Sequence, residues 1–431
     1  MTPSEPLPPG PSAPQSAPAA PSGGLPGLLG PAFLEDPYPL YATLRRNSPV
    51  LKLPVPADVG AGIFLLTRHA DVQHVLKESR FSADRRRSDA VARNLERLPR
   101  ELLDGGSLLR SLLTMDPPDH TRVRGLVNKA FTPRRVAGLR ARIEAIADEL
   151  LASAVAGGRL DVIRDLAQPL PAIVIAELLG VPAEDHPKFR AWAAEMVSMA
   201  SNVAAEGPDT TRFLRGFEPL SAYLRDVIAE RRRAPREDLL SALVLAQEDR
   251  DALSDAELLS TSILLLIAGH ETTTNLIGNG TLALLRHPDA LAALRAEPVL
   301  LRSAIEEMLR YDSPVQGTVR VATEDVEIGG TPVGKGALLV CGIGAANRDP
   351  AAFPEPDRFD VRRDDNRHLS FGFGTHFCVG APLARLEAEV AFLALLERFP
   401  ELALDAETVQ HRPNPILRGL LSLPVRGARG A

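Results

Sequence analysis

The stretch FGFGTHFCVG, residues 371–380, decides the fold of this chain. It places Cys378 among glycines and aromatic residues, directly before a predicted last helix over Ala381–Phe399. Glycine lets a backbone turn sharply and approach a flat group closely, and the amide groups that begin a helix stabilise a thiolate. An arbitrary cysteine is more often a small buried apolar side chain, but this setting favours a thiolate that holds a soft metal.

The second cysteine narrows the choice of metal. Cys341 lies in the apolar segment Leu338–Gly342, and the sequence has no Cys-x-x-Cys pair, so a zinc site is a poor fit. Haem iron needs only one ligand from the protein, which leaves Cys341 to the core. Two cysteines in 431 residues also rule out a disulfide framework and indicate free thiols in a reducing compartment, so we predict a cytoplasmic protein.

A long buried helix precedes this stretch. The pattern SDAE at residues 254–257 is a capping box, in which a hydroxyl and a carboxylate three residues later cap a helix start. The helix is predicted to run to His287, and Glu271 is the only formal charge in its long middle section. Because a helix that is apolar nearly all round lies inside a protein, we expect this one at the centre of a large helical fold.

Short strands follow the long helix. A predicted helix over Val299–Tyr311 is succeeded by strands over Thr318–Thr323, Val326–Ile328 and Ala337–Val340, and then by an irregular coil that ends near Ser370. The predicted fold class is therefore mainly α with a small β subdomain.

Composition and charge exclude several classes of protein. The chain has 49 basic and 55 acidic residues, a net charge of −6 and no long basic run, which argues against nucleic acid as the main partner. The longest apolar run, Ile263–Gly269, is too short for the roughly 20 residues that cross a bilayer, so no membrane is expected. Residues 1–31 are rich in proline and are predicted to form a disordered leader, which leaves 32–431 as a single domain.

The pattern Phe-x-x-Gly-x-x-x-Cys-x-Gly before a terminal helix resembles the haem loop of the cytochrome P-450 monooxygenases. The similarity extends from about Pro37 to the C-terminus. It implies a cytochrome P-450 fold with the long central helix over haem b (iron protoporphyrin IX), and it makes Cys378 the thiolate ligand of the iron. In such a loop Phe371 would cover the ligand, and Gly374 would belong to the cofactor site.

The predicted helix before the strands carries a second pair of residues that matches the family. Glu307 and Arg310 are spaced so that both side chains lie on one helix face. The spacing alone is weak, since an exposed pair contributes only about 0–1 kcal/mol, but its place in the chain matches the family. There the pair forms a buried network with an arginine of the coil, which corresponds to Arg358, so we predict a network that locks the coil carrying Cys378.

The segment Ala268-Gly269-His270-Glu271-Thr272 interrupts the apolar central helix with an acid and a hydroxyl. A threonine in mid-helix often donates back to a carbonyl one turn earlier, but the neighbouring carboxylate favours chemistry. Gly269 is expected to leave room for a ligand beside Ala268. The segment resembles the family's oxygen-activation motif, which implies that Thr272 hydrogen-bonds bound dioxygen and Glu271 helps deliver protons. His270 is expected to be structural.

Haem also carries two propionates, which need cationic partners. His120 and Arg124 are four residues apart and share a helix face. Arg320 lies on the first strand after the helix that carries Glu307, and His376 lies within the cysteine loop. These four residues match the family's propionate-binding positions, and arginine suits bidentate contact with a carboxylate.

The resemblance implies a haem-thiolate monooxygenase of bacterial type, which inserts one oxygen atom of O2 into a C–H or C=C bond. No flavin domain, NAD(P)H domain or iron–sulfur cysteine set is recognisable, so a separate ferredoxin and ferredoxin reductase are expected to supply electrons to a monomer. The stretches expected to contact substrate, 81–112, 192–205, 267–272 and 315–318, are mostly apolar. They favour an apolar small molecule of the secondary-metabolite, terpenoid or fatty-acid type.

Two alternatives stay open. A peroxygenase driven by hydrogen peroxide would be expected to replace the pair Glu271 and Thr272, and a non-catalytic haem sensor or carrier would not need that pair.

Two basic stretches also have two interpretations. Residues 85–87 are expected to face water rather than an anionic substrate, and the basic residues from Arg122 to Arg135 are expected to form a solvated helix face rather than a ferredoxin dock.

Overall fold

The computed structural model describes residues 30–55, 60–88, 91–92, 110–201, 210–248 and 251–427. Nearly all of the predicted leader lies outside the described residues, and so does most of the stretch 81–112 that was expected to contact substrate. Within the described part, a large helical core surrounds one long central helix, and a second core lies under a five-stranded sheet. No described helix is both long enough and apolar enough to cross a membrane.

Helices make up most of the described chain. In chain order they are α1 (Pro31–Glu35), α2 (Tyr38–Asn47), α3 (His69–Lys77), α4 (Asp119–Ala130), α5 (Pro133–Gly138), α6 (Arg140–Gly157), α7 (Pro169–Leu178), α8 (His186–Ser201), α9 (Thr210–Arg233), α10 (Leu239–Leu245), α11 (Asp255–Arg286), α12 (Pro288–Ala296), α13 (Leu301–Tyr311), α14 (Ile343–Ala346) and α15 (Ala381–Arg398).

The strands are short. They are β1 (Val50–Lys52), β2 (Ile63–Leu66), β3 (Phe81–Ser82), β4 (Arg159–Asp161), β5 (Gln247–Glu248), β6 (Asp251–Ala252), β7 (Gly317–Ala322), β8 (Val326–Ile328), β9 (Thr331–Val333), β10 (Leu338–Gly342), β11 (Ala403–Leu404) and β12 (Pro424–Arg426).

The largest described sheet has the strand order β1-β2-β10-β7-β3. Only the β2–β10 pair is parallel, with Leu339 opposite Phe64, and β7 pairs with β10 and β3 in antiparallel register. A second sheet, β11-β12-β4, joins the end of the chain to its middle, and β8–β9 is a hairpin turned by Gly329 and Gly330. The predicted mainly α fold with a small β part is confirmed.

The central helix α11 begins and ends as its sequence predicts. The Ser254 Oγ accepts a hydrogen bond from the Glu257 amide at 3.3 Å, and the Ser254 amide donates to Glu257 Oε2 at 2.8 Å. The helix is 32 residues long, and most of its side chains are buried. Its capping box is also tied to α4, because Arg122 pairs with Glu257. Arg122 thus links α4 to the start of the central helix.

Close helix packing fixes the second half of α11. A Cβ added to Gly280 would lie 2.7 Å from Met308 Sδ on α13 and 2.8 Å from Phe392 Cζ on α15. Real Cβ atoms do not approach other atoms that closely, so a larger residue here would displace the Met308 and Phe392 side chains. Because α15 follows the cysteine loop directly, this contact positions the loop relative to the central helix.

Candidate active site

The cysteine loop is a closed turn held by backbone hydrogen bonds. The Cys378 amide donates to the Phe371 carbonyl at 2.9 Å, and the Phe377 amide donates to the Gly374 carbonyl at 3.1 Å. Gly374 has a φ of +72°, and a Cβ there would lie 2.8 Å from the Leu76 carbonyl oxygen of α3. Glycine is therefore required at 374 for both its backbone conformation and the close approach of α3.

Cys378 lies at the start of α15 with accessible surface, although protein surrounds it on most sides. Burial raises the pKa of its thiol. The backbone amides of Gly380 and Ala381 oppose this effect, and so do the charges of Arg124 and Arg385. These four groups favour a thiolate, which is the form of cysteine that binds metals.

Cys341 differs from Cys378 in its burial and in its surroundings. It is fully buried in β10, and burial raises its pKa to about 12, so it stays a neutral thiol. It packs in the core beneath the five-stranded sheet, as the sequence predicts.

Phe371 lies beside the cysteine and is half-buried. The Phe371 ring centroid is 6.2 Å from that of Phe377. The Arg385 guanidinium carbon lies 4.4 Å from the Phe371 ring centroid. Phe377 keeps 42% of its surface exposed. Phe371 therefore packs on one side of the loop with a cation over its ring, which is compatible with the covering role that the resemblance implies.

The four residues expected to bind propionates cluster in the structure. The ring centroids of His120 and His376 are 4.1 Å apart. Burial, followed by the charges of Arg320, His120 and Arg124, lowers the pKa of His376 to about 3. Burial also lowers the pKa of His120, with Arg124 and Arg320 contributing. Residues from α4, β7 and the cysteine loop thus bring positive charge to one place.

Among the described residues, Asp116 places a negative charge near His120 and Arg320, but its own ion pair is with Arg87. Neither Arg124 nor Arg320 forms an ion pair there, and the buried His120 Nε2 has no hydrogen-bond partner within the same ranges. Uncompensated buried cations and an orphaned ring nitrogen are costly unless a negative group joins them. Two carboxylates beside a thiolate would satisfy this set, so the residues fit haem with its two propionates.

The centre of α11 presents a small accessible surface within an otherwise buried helix. Ala268 is exposed, and Ile267, Gly269 and Thr272 are half-buried. The Thr272 Oγ1 donates its proton to the Ala268 carbonyl at 2.8 Å, the back-bonding that a mid-helix threonine often shows. Its oxygen lone pairs are left to accept hydrogen bonds from a species beside the helix.

A side chain at Gly269 would point toward α7. A Cβ added there would lie 3.7 Å from Ile175, an ordinary packing distance. Gly269 itself is half-buried, and the expectation that it leaves room for a ligand stays a prediction. His270 is buried, as expected for a structural residue.

Glu271 has a partner that sequence reasoning missed. Its Oε1 accepts a hydrogen bond from Arg412 Nη1 at 2.7 Å, and its side chain is only 6% exposed. Arg412 is 22% exposed and also donates from Nε to the Leu420 carbonyl at 3.2 Å. A residue in an irregular segment 141 positions away holds the carboxylate, and no periodicity or motif in the sequence signals such a pair.

Helix α15 lies along α11, and this packing determines where the cysteine loop lies along α11. Glu387 forms a hydrogen bond with Thr273, and Phe392 lies next to Gly280, so the two helices advance in the same direction. Cys378 precedes Glu387 in the chain, so the cysteine loop lies toward the half of α11 that precedes Thr273. Burial raises the pKa of Glu387 to about 8, against the effect of the Thr273 hydrogen bond.

A buried ionic network secures the coil before the cysteine loop. Arg310 and Glu307 are both fully buried and form two parallel bonds of 2.7 Å. Arg310 also donates to the carbonyls of Asn347, Pro356 and Arg358, at 3.0, 2.7 and 3.0 Å. The predicted pair is confirmed as the anchor of the coil.

The third member of the network is Arg363 and not Arg358. Arg363 Nε lies 3.1 Å from Glu307 Oε2, and its side chain is 10% exposed. The Arg358 side chain is 61% exposed and pairs with Glu355 at the surface, so its prediction as a buried partner is wrong. Arg358 contributes only its backbone carbonyl, because the coil turns its side chain outward.

Both a protein-family model and individual known proteins match this chain. A family model described as Cytochrome P450 matches residues 60–427. Cytochrome P450 monooxygenase PikC of Streptomyces venezuelae is 45% identical over 411 residues, covering 94% of each chain. Vitamin D(3) 25-hydroxylase of Pseudonocardia autotrophica is 43% identical over 412 residues, covering 94% of this chain and 97% of that one.

A solved structure is also similar to this chain. The myxobacterial cytochrome P450 CYP267B1, in complex with myristic acid, matches with a TM-score of 0.84 and 41% identity, over 94% of this chain and 99% of that chain. These similarities cover nearly the full length, and the family match includes both the cysteine loop and the central helix. The chain therefore belongs to the cytochrome P450 family and is a monooxygenase that binds haem b.

Proposed function

We propose that this monooxygenase inserts one atom of O2 into a C–H or C=C bond of a mostly apolar small molecule, of the secondary-metabolite, terpenoid or fatty-acid type. The names of the relatives support this range, since they include a polyketide biosynthesis enzyme of Bacillus subtilis and the CYP267B1 complex with myristic acid. The apolar side chains at the accessible centre of α11, such as Ile267 and Ala268, suit such a substrate.

One observation carries the proposal. The Cys378 thiol lies near Arg124, and Arg124 and Arg320 both act on His376, while the facing central helix exposes Ala268 and half-exposes Thr272, which supports a shared site. A sensor or carrier would need a metal ligand and propionate partners. It would not need a hydroxyl and a buried acid at the accessible part of the facing helix.

We assign a separate role to each group of residues in the site. Cys378 would bind the iron, and His120, Arg124, Arg320 and His376 would hold the propionates, with Phe371 packed against the loop. When bound, haem supplies the one-electron and O2 chemistry that amino-acid side chains lack.

On the central helix, Thr272 would act as a hydrogen-bond acceptor. Its hydroxyl proton is committed to the Ala268 carbonyl, so its oxygen can orient a proton-bearing group or a water molecule beside the helix. Glu271 is the nearest acid in the sequence, and its Oε1 is held by Arg412. We propose that it takes up protons from the side where Arg412 reaches solvent and passes them toward Thr272, as general acid–base catalysis requires.

Electrons would come from a separate ferredoxin and ferredoxin reductase, and the enzyme would act as a monomer in the cytoplasm. Of the basic stretch from Arg122 to Arg135, Arg122 pairs with Glu257 and Arg124 belongs to the propionate cluster. A cationic docking surface would therefore depend on Arg134 and other exposed residues. Faster reduction of the iron by ferredoxin at low salt supports such docking, and salt-independent reduction contradicts it.

The absorption spectrum tests the cofactor and its ligand. We expect protein from cells fed a haem precursor to show a Soret band, and its reduced carbon monoxide complex to show the red-shifted band of thiolate ligation. Cys378→Ala should lose that shifted band, whereas Cys341→Ala, the matched control in the core, should keep it. Colourless protein, or an unchanged spectrum in Cys378→Ala, would overturn the proposal.

Turnover distinguishes the monooxygenase from the peroxygenase. With ferredoxin, reductase and NAD(P)H, the wild-type enzyme should form product in proportion to the NAD(P)H consumed. Thr272→Ala should keep oxidising NAD(P)H but lose about 90% or more of the product, the size of effect expected for a lost proton-transfer group. Product formation from hydrogen peroxide at the same rate as with ferredoxin would favour the peroxygenase instead.

A further inference from the structure

Arg385 on α15 is held beside the cysteine loop by an acid of α13. Its Nε and Nη2 atoms donate to Glu306 Oε1 and Oε2 at 2.6 and 2.7 Å, the forked geometry in which arginine binds a carboxylate. His368 Nε2 lies 3.0 Å from the same Glu306 Oε2. Because the Ser370 amide donates to His368 Nδ1 at 3.2 Å, the ring proton is on Nε2 and is donated to Glu306. Three donors thus converge on one carboxylate.

Both members of the pair Glu306 and Arg385 are charged at neutral pH. Burial opposes the ionisation of Glu306, but the hydrogen bonds from Arg385 and His368 outweigh burial and lower the pKa of Glu306 to about 2. Arginine stays protonated in proteins, so Arg385 is a cation. The Arg385 side chain is 38% exposed and that of Glu306 is 28% exposed, so water screens these charges only in part.

The Arg385 guanidinium packs on the ring beside the proposed iron ligand. Its central carbon lies 4.4 Å from the Phe371 ring centroid. The Phe371 carbonyl in turn accepts the hydrogen bond of the Cys378 amide at 2.9 Å. Arg385 also follows Ala381 by one helical turn, and both the Ala381 amide and the charge of Arg385 favour the Cys378 thiolate. A cation in a fixed position therefore lies near the sulfur, with its acid partner on the neighbouring helix.

We propose that Arg385, held by Glu306, raises the reduction potential of the haem iron, an inference that rests on the proposed function because it takes Cys378 as the iron ligand. When the iron accepts one electron, the site gains one negative charge, and the ferredoxin that supplies the electron is oxidised. A fixed cation near the sulfur stabilises the more negative, reduced state, and a fixed anion destabilises it. Arg385 acts through the ligand, so it is a positioning residue and not a catalytic one.

The reduction potential of the haem-loaded enzyme tests the inference. Titration with dithionite in the presence of redox dyes gives the ratio of reduced to oxidised iron at each solution potential. In Arg385→Gln we expect this ratio, at a fixed potential, to fall about three- to tenfold, a shift of about 30 to 60 mV to more negative values at 59 mV per tenfold change. Glu306→Gln removes the opposite charge and should raise the ratio about two- to fivefold. Arg385→Lys keeps the charge and should recover at least half of the shift.

Opposite shifts separate an electrostatic role from a structural one, since a loosened loop would move both variants in the same direction. The matched control is Arg398→Gln, which removes an arginine paired with Asp148 from the same helix, about 20 Å further along, and should leave the potential unchanged. An unchanged potential in Arg385→Gln, or shifts of the same sign in Arg385→Gln and Glu306→Gln, would overturn the inference and leave the proposed function standing. A wild-type enzyme without the red-shifted carbon monoxide band would overturn both together.

Discussion

At the scale of single residues, the pair of Glu271 and Arg412 shows how the fold keeps an acid inside a mostly apolar helix. The carboxylate is almost fully buried, and the guanidinium supplies the charge that makes this burial tolerable. Arg412 reaches solvent, so the pair also connects the buried carboxylate with water. Stability and the proposed supply of protons would therefore depend on the same contact.

Removing Arg412 should cost stability because it leaves a buried carboxylate unpaired. For Arg412→Met we expect the free energy of unfolding, measured with urea, to fall by about 3 kcal/mol. The double variant with Glu271→Gln should recover more than half of that loss, since neither charge then remains. Product formed per NAD(P)H should fall in Arg412→Met and recover partly in Arg412→Lys. Equal stability of Arg412→Met and wild type would contradict the role of this pair.

Glu387 should make stability depend on pH. Burial raises its pKa to about 8 in the folded protein, above the ordinary glutamate value of 4.5 that applies after unfolding. Between these values the folded state binds the extra proton, so stability falls as pH rises from about 4.5 to 8 by up to about 1.4 kcal/mol per pH unit from this group. Glu387→Gln mimics the neutral acid and should remove that slope.

Urea unfolding of wild type and Glu387→Gln, measured at several pH values, checks this expectation. The variant should be more stable than wild type at pH 8, and the difference should shrink toward pH 4.5. Glu389, two residues further along α15 and paired with Arg140 near the surface, offers Glu389→Gln as a control with little pH-dependent difference. A constant difference for Glu387→Gln would mean that the carboxyl group is charged in the fold.

At the scale of elements, the network around Glu307 determines whether the coil before Cys378 has a defined position. Arg363 joins the coil to α13 from a nearly buried position, and Arg358 lies outside on the same coil. We expect Arg363→Ala to lower the free energy of unfolding by about 1–3 kcal/mol and to speed the loss of haem. Arg358→Ala should stay within about 0.5 kcal/mol of wild type.

Two glycines of α11 should respond in opposite ways to the same substitution. Gly280→Ala forces a Cβ against Met308 and Phe392, so we expect a loss of about 1–3 kcal/mol. Gly269→Ala meets only Ile175 at 3.7 Å and removes a flexible residue from a helix interior, so stability should be unchanged or rise by up to about 1 kcal/mol. Thermal unfolding of both variants, with the haem content recorded, measures the contrast. A loss of stability in Gly269→Ala would contradict the packing described here.

The elements differ in how well the sequence alone predicts them. The capping box and the nearly uncharged middle of α11 define a long buried helix, because both signals are local and periodic. The glycines and the cysteine of the loop also form a local pattern. The partners Arg363 and Arg412 lie in irregular segments without periodicity, so their choice depends on which way a coil turns, and that is decided by packing far along the chain. The expectation that residues 85–87 face water is confirmed, because all three arginines are exposed.

At the scale of the whole molecule, Arg418 joins distant parts of the chain. It donates to Asp312 Oδ1 at 2.6 Å and to the carbonyls of Leu34 and Glu35 in α1 at 3.0 and 2.9 Å. Tyr38 donates to the same Asp312 oxygen at 2.7 Å. The first described helix is thereby fixed to a segment near the C-terminal end.

Loss of this junction should destabilise the molecule and loosen its first helices together. For Arg418→Met we expect about 3 kcal/mol less stability, because Asp312 stays buried without its cation. Hydrogen exchange of the amides in α1 and α2 should become faster. Arg426→Met removes a mostly exposed side chain with only a 4.0 Å contact to Asp405 and should behave like wild type. Unchanged exchange in Arg418→Met would show that other contacts hold α1.

The unmatched cations at the cofactor edge also bear on biosynthesis. A freshly translated polypeptide must bring Arg124 and Arg320 into one corner with neither arginine in an ion pair, so we expect that corner to pack less tightly until the prosthetic group arrives. We therefore expect the yield of folded enzyme in a cell to rise with the supply of iron and tetrapyrrole.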